Sequence, residues 1–246
     1  MRDATVEVSV LTLVGVGHVF DITRQVREVI IARRPGVVGL ELDRARFAAL
    51  QQEERRGGPP VYFLMALFQK RVADMYGGTV GQEMLAAAQA AKEVGARVAF
   101  VDRDSLEVFR AWIGGMPFRE RLKLFASLFT SFFVTKERVD AELAKYEEDQ
   151  VGYLELFAKE LPHTKRVLID DRNAHMAGVL RSLHADAGRV LAVVGDGHIE
   201  GIRSQLADLP LEVIRLRDLR SGSIPSPPST GDGQSVTFSF GVGGGT

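Results

Sequence analysis

The sequence predicts an α/β protein with a central, mainly parallel sheet that is flanked by helices. Two observations support this fold class: short apolar, β-branched runs recur along the chain, and segments with helical spacing separate them. Such an alternation of strand and helix favours parallel strands joined by right-handed crossovers. The chain has 246 residues, of which 46% are hydrophobic, and it can therefore bury a sizeable core.

The first predicted strand covers residues 6–14 and leads into the sequence GVGH at residues 15–18. Glycines at the end of a buried strand let the backbone turn sharply and pass close to a ligand or another segment. Asp21 then stands where it can cap a helix over residues 22–33. We therefore predict a strand, a tight turn that carries His18, and a helix.

A second buried strand is predicted over residues 37–42, and it contains Glu41. The next helix begins near Asp43 or Arg44, because Asp is a common helix N-cap. After a break rich in Gly and Pro, apolar side chains predict another helix over residues 61–75. The chain therefore opens as two successive strand and helix units.

The Ala-rich stretch at residues 81–94 has high helix propensity, and Gly95 is a natural stop before a strand at residues 97–101. Residues 105–163 lack strand signals and carry Phe and Leu at helical spacing, followed by a charged stretch. We predict that this segment is a helical insertion or cap.

The last third of the chain predicts one long helix over residues 165–183. A strand at residues 190–194 follows and ends in the sequence GDGH at residues 195–198. A final strand is predicted near residues 211–216. The second Gly-x-Gly-His motif thus stands in the same context as the first, directly after a buried strand.

The predicted domain covers residues 1–220, with the helical insertion at residues 105–163 as part of it. From residue 221 onward Ser, Pro and Gly dominate, which predicts a flexible tail over residues 221–246. Within this tail, residues 236–240 alternate in the manner of an edge strand.

Composition excludes several classes of function. With 31 basic and 32 acidic residues the formal net charge is −1, so no overall field attracts nucleic acid. The chain has no cysteine, which limits metal ligands to His, Asp and Glu. No apolar run reaches the ~18 residues that a membrane span needs. We expect a cytoplasmic protein without a nucleic-acid partner or transmembrane segment, with membrane association as the alternative.

Polar residues follow four of the predicted strands: His18, Glu41, Asp102 with Arg103, and His198. Open α/β sheets build their sites at the carboxyl ends of the strands. Two histidines and one carboxylate from separate strands can hold a divalent metal ion or form a general-base cluster. We therefore expect these strand ends to form the working site.

Each of these residues also has a structural interpretation. A single Gly-x-Gly-His motif is weak, since a strand-end histidine is more often structural than a ligand, but two copies make coincidence harder to accept. Glu41 stands between two leucines, and a buried carboxylate needs a partner. That partner is either a metal ion or an arginine, for which Arg44 and Arg46 are the nearest candidates.

Two helical residues are further candidates. Asn173 interrupts an apolar helical face one residue after Arg172, and an inward-facing amide must be hydrogen-bonded, either at a site or to a neighbouring loop. Glu83 lies in the first turn of its predicted helix, where the helix dipole favours a carboxylate with or without a chemical role. Glu41 is therefore the stronger candidate of the two acids.

Five stretches of the sequence resemble the TraB/PrgY family, which is related to the TIKI metalloprotease-like proteins and, more distantly, to the erythromycin esterase and ChaN-like group. These stretches are LVGVGHVF (13–20), VVGLELDRAR (37–46), GQEMLAAAQAAKEVGARVAFVDRD (81–104), DDRNAHMAGVL (170–180) and VVGDGHIEGI (193–202). Paired Gly-x-x-His motifs together with Glu-Leu-Asp and Asp-Arg-Asn make a fairly specific combination.

The resemblance implies an α/β core with a metal-dependent hydrolytic site. Carried over by position, it nominates His18, Glu41 and His198 as ligands of Mn²⁺, Co²⁺ or Zn²⁺, or as the general base. It assigns supporting roles to four further residues: Glu83, Arg103, Arg172 and Asn173. In TIKI relatives the chemistry resembles divalent-metal peptide hydrolysis, and PrgY-type relatives lower the activity of a secreted peptide pheromone. The expected substrate is a peptide or a small molecule.

Three functions stay open at this point. In the first, a metal-dependent hydrolase, Arg172 or Arg103 steadies a developing oxyanion. In the second, an esterase-like hydrolase without metal, His18 is the general base and Glu41 orients it. In the third, the protein is a non-catalytic peptide-binding or sequestering module that uses the Phe-rich segment at residues 122–133. A homo-oligomer is compatible with each of them.

Overall fold

Five parallel strands form the centre of the fold. The structure is a computed structural model, and it describes residues 9–17, 20–52, 81–131 and 135–226. The strands are β1 (Leu11–Val16), β2 (Val37–Leu40), β3 (Arg97–Phe100), β4 (Val190–Gly195) and β5 (Leu211–Ile214). They lie side by side in the order β3-β2-β4-β1-β5, and each pairing is parallel. The predicted α/β fold class is confirmed.

Helices cover both faces of the sheet. On one face lie α1 (Thr23–Arg33), α3 (Gln82–Glu93) and α11 (Leu216–Ser221). On the other face lie α9 (Asp171–Ala187) and α10 (Asp196–Gln205). The remaining helices are α2 (Arg44–Gln51), α4 (Ser105–Gly115), α5 (Phe118–Ser131), α6 (Lys136–Glu148), α7 (Gln150–Glu160), α8 (Pro162–Lys165) and a π-helix (Arg166–Asp170).

The sheet divides the core into two layers. All six residues of β1 are buried, and their side chains alternate between the layers. Leu13 packs with α9 and α10, whereas Val14 packs with α1 and α3. Parallel strands covered on both faces need apolar residues on both faces, which explains why the strands were recognisable as continuous apolar runs.

Gly39 in β2 lets α9 lie close to the sheet. A Cβ atom at this position would lie 3.0 Å from Val101 Cγ1 and 3.3 Å from Leu180 Cδ2, which is tight for any side chain. Leu180 belongs to α9, so the missing side chain on the strand brings the helix close to β2. As a result, the first turn of α9 lies beside the residues that follow β2.

Two element boundaries differ from the prediction. The N-cap of α1 is Ile22 and has no side-chain cap bond, so the prediction that Asp21 caps this helix is wrong. The GDGH sequence was predicted to form a tight turn, but α10 begins at Asp196 directly after β4. His198 therefore lies in the first turn of a helix, where it is only 8% exposed.

The long helix predicted over residues 165–183 is interrupted near its start. Residues 162–165 are α-helical, Arg166–Asp170 form a π-helix, and α9 then continues to Ala187. The N–H of Asp171 donates to the carbonyl of Arg166, a bond that spans five residues instead of four. Such π-turns are frequent at functional sites, and this one directly precedes Arg172.

Several predictions lie outside the described residues. They concern the helix at residues 61–75, the edge strand at residues 236–240 and the turn residue His18. Of the predicted tail, only residues up to 226 are described. Arg33 donates to the carbonyl oxygen of Pro225 and also pairs with Glu212, which holds this last described part against the sheet.

The described residues between 105 and 163 form helices, as predicted. An apolar cluster built on Trp112 joins α4 and α5 to the π-helix, and the Trp112 indole N–H donates to Thr164 Oγ1 over 3.0 Å. On α5, however, Phe118 is 77% exposed and Leu122 is 62% exposed. In the part of the chain that the structure covers, no helix has the length and apolar character needed to cross a bilayer.

Asp43 joins two helices to the end of β2. Its carboxylate accepts the backbone N–H of Arg46 at 2.8 Å and that of Ser105 at 3.0 Å, so it caps α2 and holds the start of α4. Burial alone would raise the pKa of Asp43, but these hydrogen bonds outweigh it and lower the pKa below its ordinary value.

We expect Asp43→Ala to lower the free energy of unfolding by about 1–2 kcal/mol at pH 7, since a cap and a second hydrogen bond are lost. A carboxyl group whose pKa is lower in the folded state than in the unfolded state stabilises the fold at pH values above its unfolded-state pKa. This contribution is lost as the pH falls through the folded-state pKa. The difference from wild type should therefore shrink below about pH 4. Urea unfolding of wild type and variant at pH 7 and below about pH 4 measures this difference in the free energy of unfolding. Asp43→Asn, which removes the titratable group, is the control. A difference that does not change with pH would contradict it.

Candidate functional site

Polar residues follow three neighbouring strands at one edge of the sheet. Glu41 follows β2, Asp102 follows β3 by two residues, and α10 with His198 follows β4. These strands are adjacent and parallel, in the order β3-β2-β4, so their carboxyl ends lie together. The edge of the sheet that the sequence predicted as the site therefore carries a cluster of charged and polar side chains.

Glu41 is the centre of this cluster. It is only 4% exposed, and its backbone N–H donates to the carbonyl of Val193, which extends the pairing of β2 with β4. One carboxylate oxygen, Oε2, accepts the backbone N–H of Gly195. The other, Oε1, accepts a hydrogen bond from Arg172 and lies 3.3 Å from His198 Nε2. The buried carboxylate thus has the partners that its burial demands.

Arg172 joins Glu41 to Asp102. Its Nε donates to Asp102 Oδ1 over 2.9 Å and its Nη2 to Oδ2 over 2.8 Å, which is a bidentate pair. Its Nη1 donates to the carbonyl of Leu168 over 3.1 Å. Burial alone would lower the pKa of Arg172, but the charges of Glu41 and Asp102 outweigh it and raise the pKa above its ordinary value. Arg172 is therefore a permanent cation between two buried carboxylates.

His198 is held between two helices and the strand end. Its Nδ1 lies 2.7 Å from Asn173 Oδ1, and its Nε2 faces Glu41. An amide oxygen only accepts hydrogen bonds, so Nδ1 carries a proton. Nε2 faces Glu41 Oε1, so it donates to the carboxylate when His198 is charged and presents an electron pair there when His198 is neutral. The neutral form, with its proton on Nδ1, is the tautomer that a metal ligand or a general base requires.

The donor pair of His198 and Glu41 fits part of a metal site. Two ligand atoms on one tetrahedral ion with bonds of roughly 2.1 Å lie about 3.3–3.4 Å apart. The observed separation of 3.3 Å between Nε2 and Oε1 matches this value. Within the described ranges, no group of three His, Asp or Glu side chains is arranged to hold an ion. A complete site would need a further ligand, for which His18, outside those ranges, is the sequence candidate.

The other predicted site residues lie at different distances from this cluster. Arg103 follows Asp102, and its backbone N–H donates to Asp102 Oδ1 over 2.8 Å. Glu83 is buried in the first turn of α3, which packs on the opposite face of the sheet from α9 and α10. The structure therefore brings together Glu41, Arg172, Asn173 and His198, and it neither tests the chemical roles predicted for them nor describes His18.

Sequence reasoning placed Asp102 with Arg103 among the strand ends that form the site, but it assigned Asp102 no role of its own. The alternative partners proposed for Glu41 were Arg44 and Arg46. Arg46 Nη1 instead lies 3.7 Å from Asp102 Oδ2. Glu41 forms its ion pair with Arg172. The available signal was an aspartate directly after a predicted buried strand.

A second pair of a carboxylate and an arginine lies next to this cluster. Asp196, at the start of α10, accepts from Arg215 Nε at 2.9 Å and Nη2 at 2.7 Å, and from the Tyr146 hydroxyl at 3.2 Å. A Cβ atom on Gly15 would lie 2.3 Å from Asp196 Oδ1, so the glycine of the first motif makes room for this carboxylate. Through Tyr146, helix α6 reaches the carboxyl edge of the sheet.

Comparison with known proteins gives two findings. The model of the TraB/PrgY/gumN family matches residues 7–210. An uncharacterised protein of Methanocaldococcus jannaschii is 29% identical over 211 residues, which cover 80% of this chain and 53% of the relative. The chain thus spans about half the length of this curated relative. The match of the family model includes β1 to β4 and every residue of the cluster around Glu41, and it ends directly before β5.

Proposed function

This chain belongs to the TraB/PrgY/gumN family, and from this premise and the geometry of the site we propose that it is a metal-dependent hydrolase of peptide bonds. One observation carries the proposal. His198 Nε2 and Glu41 Oε1, both buried, lie 3.3 Å apart, and Asn173 holds the other ring nitrogen of the histidine. A histidine that binds a metal ion usually donates its other ring N–H to an oxygen acceptor, and Asn173 Oδ1 is such an acceptor.

In this proposal His198 and Glu41 hold a divalent ion together with His18. When bound, the ion supplies a water molecule that is acidic enough to act as a nucleophile near neutral pH. Asn173 keeps the proton of His198 on Nδ1, and Arg172 holds the carboxylate of Glu41 in position. The guanidinium of Arg172 already donates to Glu41, Asp102 and Leu168, so its role here is positioning. Arg103 is therefore the better candidate for stabilising an oxyanion.

The substrate class rests on the resemblance of the sequence to peptide-hydrolysing relatives. Site electrostatics support a neutral or weakly charged substrate group. Glu41 and Asp102 contribute two negative charges, and Arg172 and Arg46 contribute two positive charges, so the described cluster is close to neutral when His198 is neutral. Such a cluster offers no net positive charge to hold a free carboxylate. A peptide bond inside a chain fits it better than a free C-terminus.

A second candidate function is a hydrolase without metal. The contact between Arg172 and Glu41 Oε1 favours it, because a cation already occupies the position beside this oxygen. In that case Asn173 orients His198 through Nδ1, His198 Nε2 is the general base that activates water, and Glu41 stabilises the proton that Nε2 gains. The two candidates share His198, Glu41 and Asn173, and only the first needs a metal ion and His18 as its further ligand.

We expect the full chain, purified without chelator, to contain about one transition-metal ion per molecule. EDTA should remove the ion and abolish hydrolysis of a mixed peptide library, and Mn²⁺, Co²⁺ or Zn²⁺ should restore it. Elemental analysis and mass spectrometry of the library are the measurements. Hydrolysis that continues in EDTA, from protein without bound metal, would favour the second candidate. If the protein hydrolyses neither peptides nor esters under any condition, both candidate functions are contradicted.

A further inference from the structure

We propose that Gly201 is a positioning residue for His198 and acts through Asn173. The inference deepens the proposed function, on which it rests for its catalytic consequence. Gly201 and His198 are three positions apart on α10 and therefore lie on the same side of the helix. Asn173 approaches that side from α9, which packs against α10.

Asn173 occupies the space in which a side chain of residue 201 would lie. A Cβ atom on Gly201 would lie 2.0 Å from Asn173 Nδ2 and 2.9 Å from its Cγ. Both distances are shorter than real Cβ contacts. Because Nδ2 and Cγ belong to the amide group, relieving the contact displaces the whole amide. The amide is only able to reach His198 Nδ1, at 2.7 Å, because Gly201 has no side chain.

The backbone itself does not require glycine at this position. Gly201 lies inside α10 and is absent from the positive-φ glycines of the described chain, which are Gly81, Gly95, Gly188 and Gly222. Alanine has a higher helix propensity than glycine, so the local structure alone would favour alanine here. The requirement for glycine therefore comes from the packing of Asn173.

The consequence for His198 is a fixed tautomer. Asn173 is 4% exposed, so its amide has little water to turn towards if it is displaced. A displaced amide leaves Nδ1 without its acceptor, and the proton can then reside on Nε2, the nitrogen that faces Glu41. A histidine protonated on Nε2 can neither bind a metal ion through that atom nor accept a proton there.

The test compares Gly201→Ala with Gly178→Ala. Gly178 lies in α9, and no described atom would lie within 4 Å of its added Cβ, so this substitution keeps the helix and the site unchanged. Long-range ¹H–¹⁵N NMR of the histidine rings reports the tautomer of His198 without substrate. We expect wild type and Gly178→Ala to carry the proton on Nδ1, and Gly201→Ala to show a mixture of tautomers with a loss of kcat of about 10–100-fold.

Asn173→Ala provides the second arm. It removes the amide that Gly201 accommodates, so adding Gly201→Ala to it should change neither the tautomer nor kcat further, and the double variant should fold even if Gly201→Ala alone does not. A wild-type tautomer in folded Gly201→Ala, or an equal loss of kcat from Gly201→Ala in both backgrounds, would overturn the proposal. The NMR arm stands if the protein hydrolyses nothing, which separates this inference from the proposed function.

Discussion

Arg172→Met is expected to lower the free energy of unfolding by about 3–5 kcal/mol, because it leaves two buried carboxylates without their shared cation. Side chains of Glu41 and Asp102 are 5% and 3% exposed, so water cannot replace the guanidinium. Methionine retains much of the volume of the side chain, and the loss therefore reports charge and hydrogen bonding. Urea unfolding near pH 7 is the measurement.

Arg181→Met is the matched control for this prediction. Arg181 pairs with Asp208 through two hydrogen bonds, but the two side chains are 45% and 61% exposed. An exposed pair of this kind contributes little to stability, because water screens its charges. Equal losses for the two variants would mean that the buried cluster contributes no more than a surface ion pair. Arg172→Lys, which keeps the charge but not the bidentate geometry, should fall between wild type and Arg172→Met.

His198→Ala is expected to reduce hydrolysis by about 10²–10⁴-fold, which is the range for removal of a general base or an equivalent group. His175→Ala is the control, since His175 lies on α9 two residues after Asn173 and is exposed. His18→Ala should match His198→Ala if both histidines serve one site. Steady-state kinetics on the best peptide from the library measures all three variants.

The alternative of a binding module predicts the opposite pattern. If His18→Ala and His198→Ala retain every measurable function while Phe129→Asp abolishes it, then the helical segment performs the function and the strand edge does not. Phe118 and Leu122 on α5 are exposed, so this helix offers apolar surface that a partner can contact. A change in circular dichroism for Phe129→Asp would show that the loss reflects unfolding, and a smaller substitution at Leu122 would then be needed.

The fold could be predicted from the sequence because its signals are local. Buried parallel strands read as continuous apolar runs, and Gly95, with a φ of +75°, ends α3 where the sequence indicated. The need of Glu41 for a partner was also local, since it follows from a carboxylate between two leucines. These inferences use only residues a few positions apart, which is the range over which secondary structure and burial are encoded.

The partners themselves could not be predicted in the same way. Arg172 lies 131 positions from Glu41, and it reaches the strand edge because α9 crosses β2 at Gly39 and because a π-turn precedes it. Neither the crossing nor the extra residue in the helix leaves a periodic signal. Proximity in sequence therefore pointed to Arg44 and Arg46, and the true pair followed from tertiary packing.

The most direct test of the central claim is anomalous diffraction from crystals of the full chain soaked in MnCl₂. The account predicts a manganese peak within bonding distance, roughly 2.0–2.2 Å, of both His198 Nε2 and Glu41 Oε1. Crystals of His198→Ala that are soaked in the same way should lack this peak. A saturating soak that leaves this position without a peak, with Arg172 still bound to Glu41, would contradict a metal-dependent site at the strand edge.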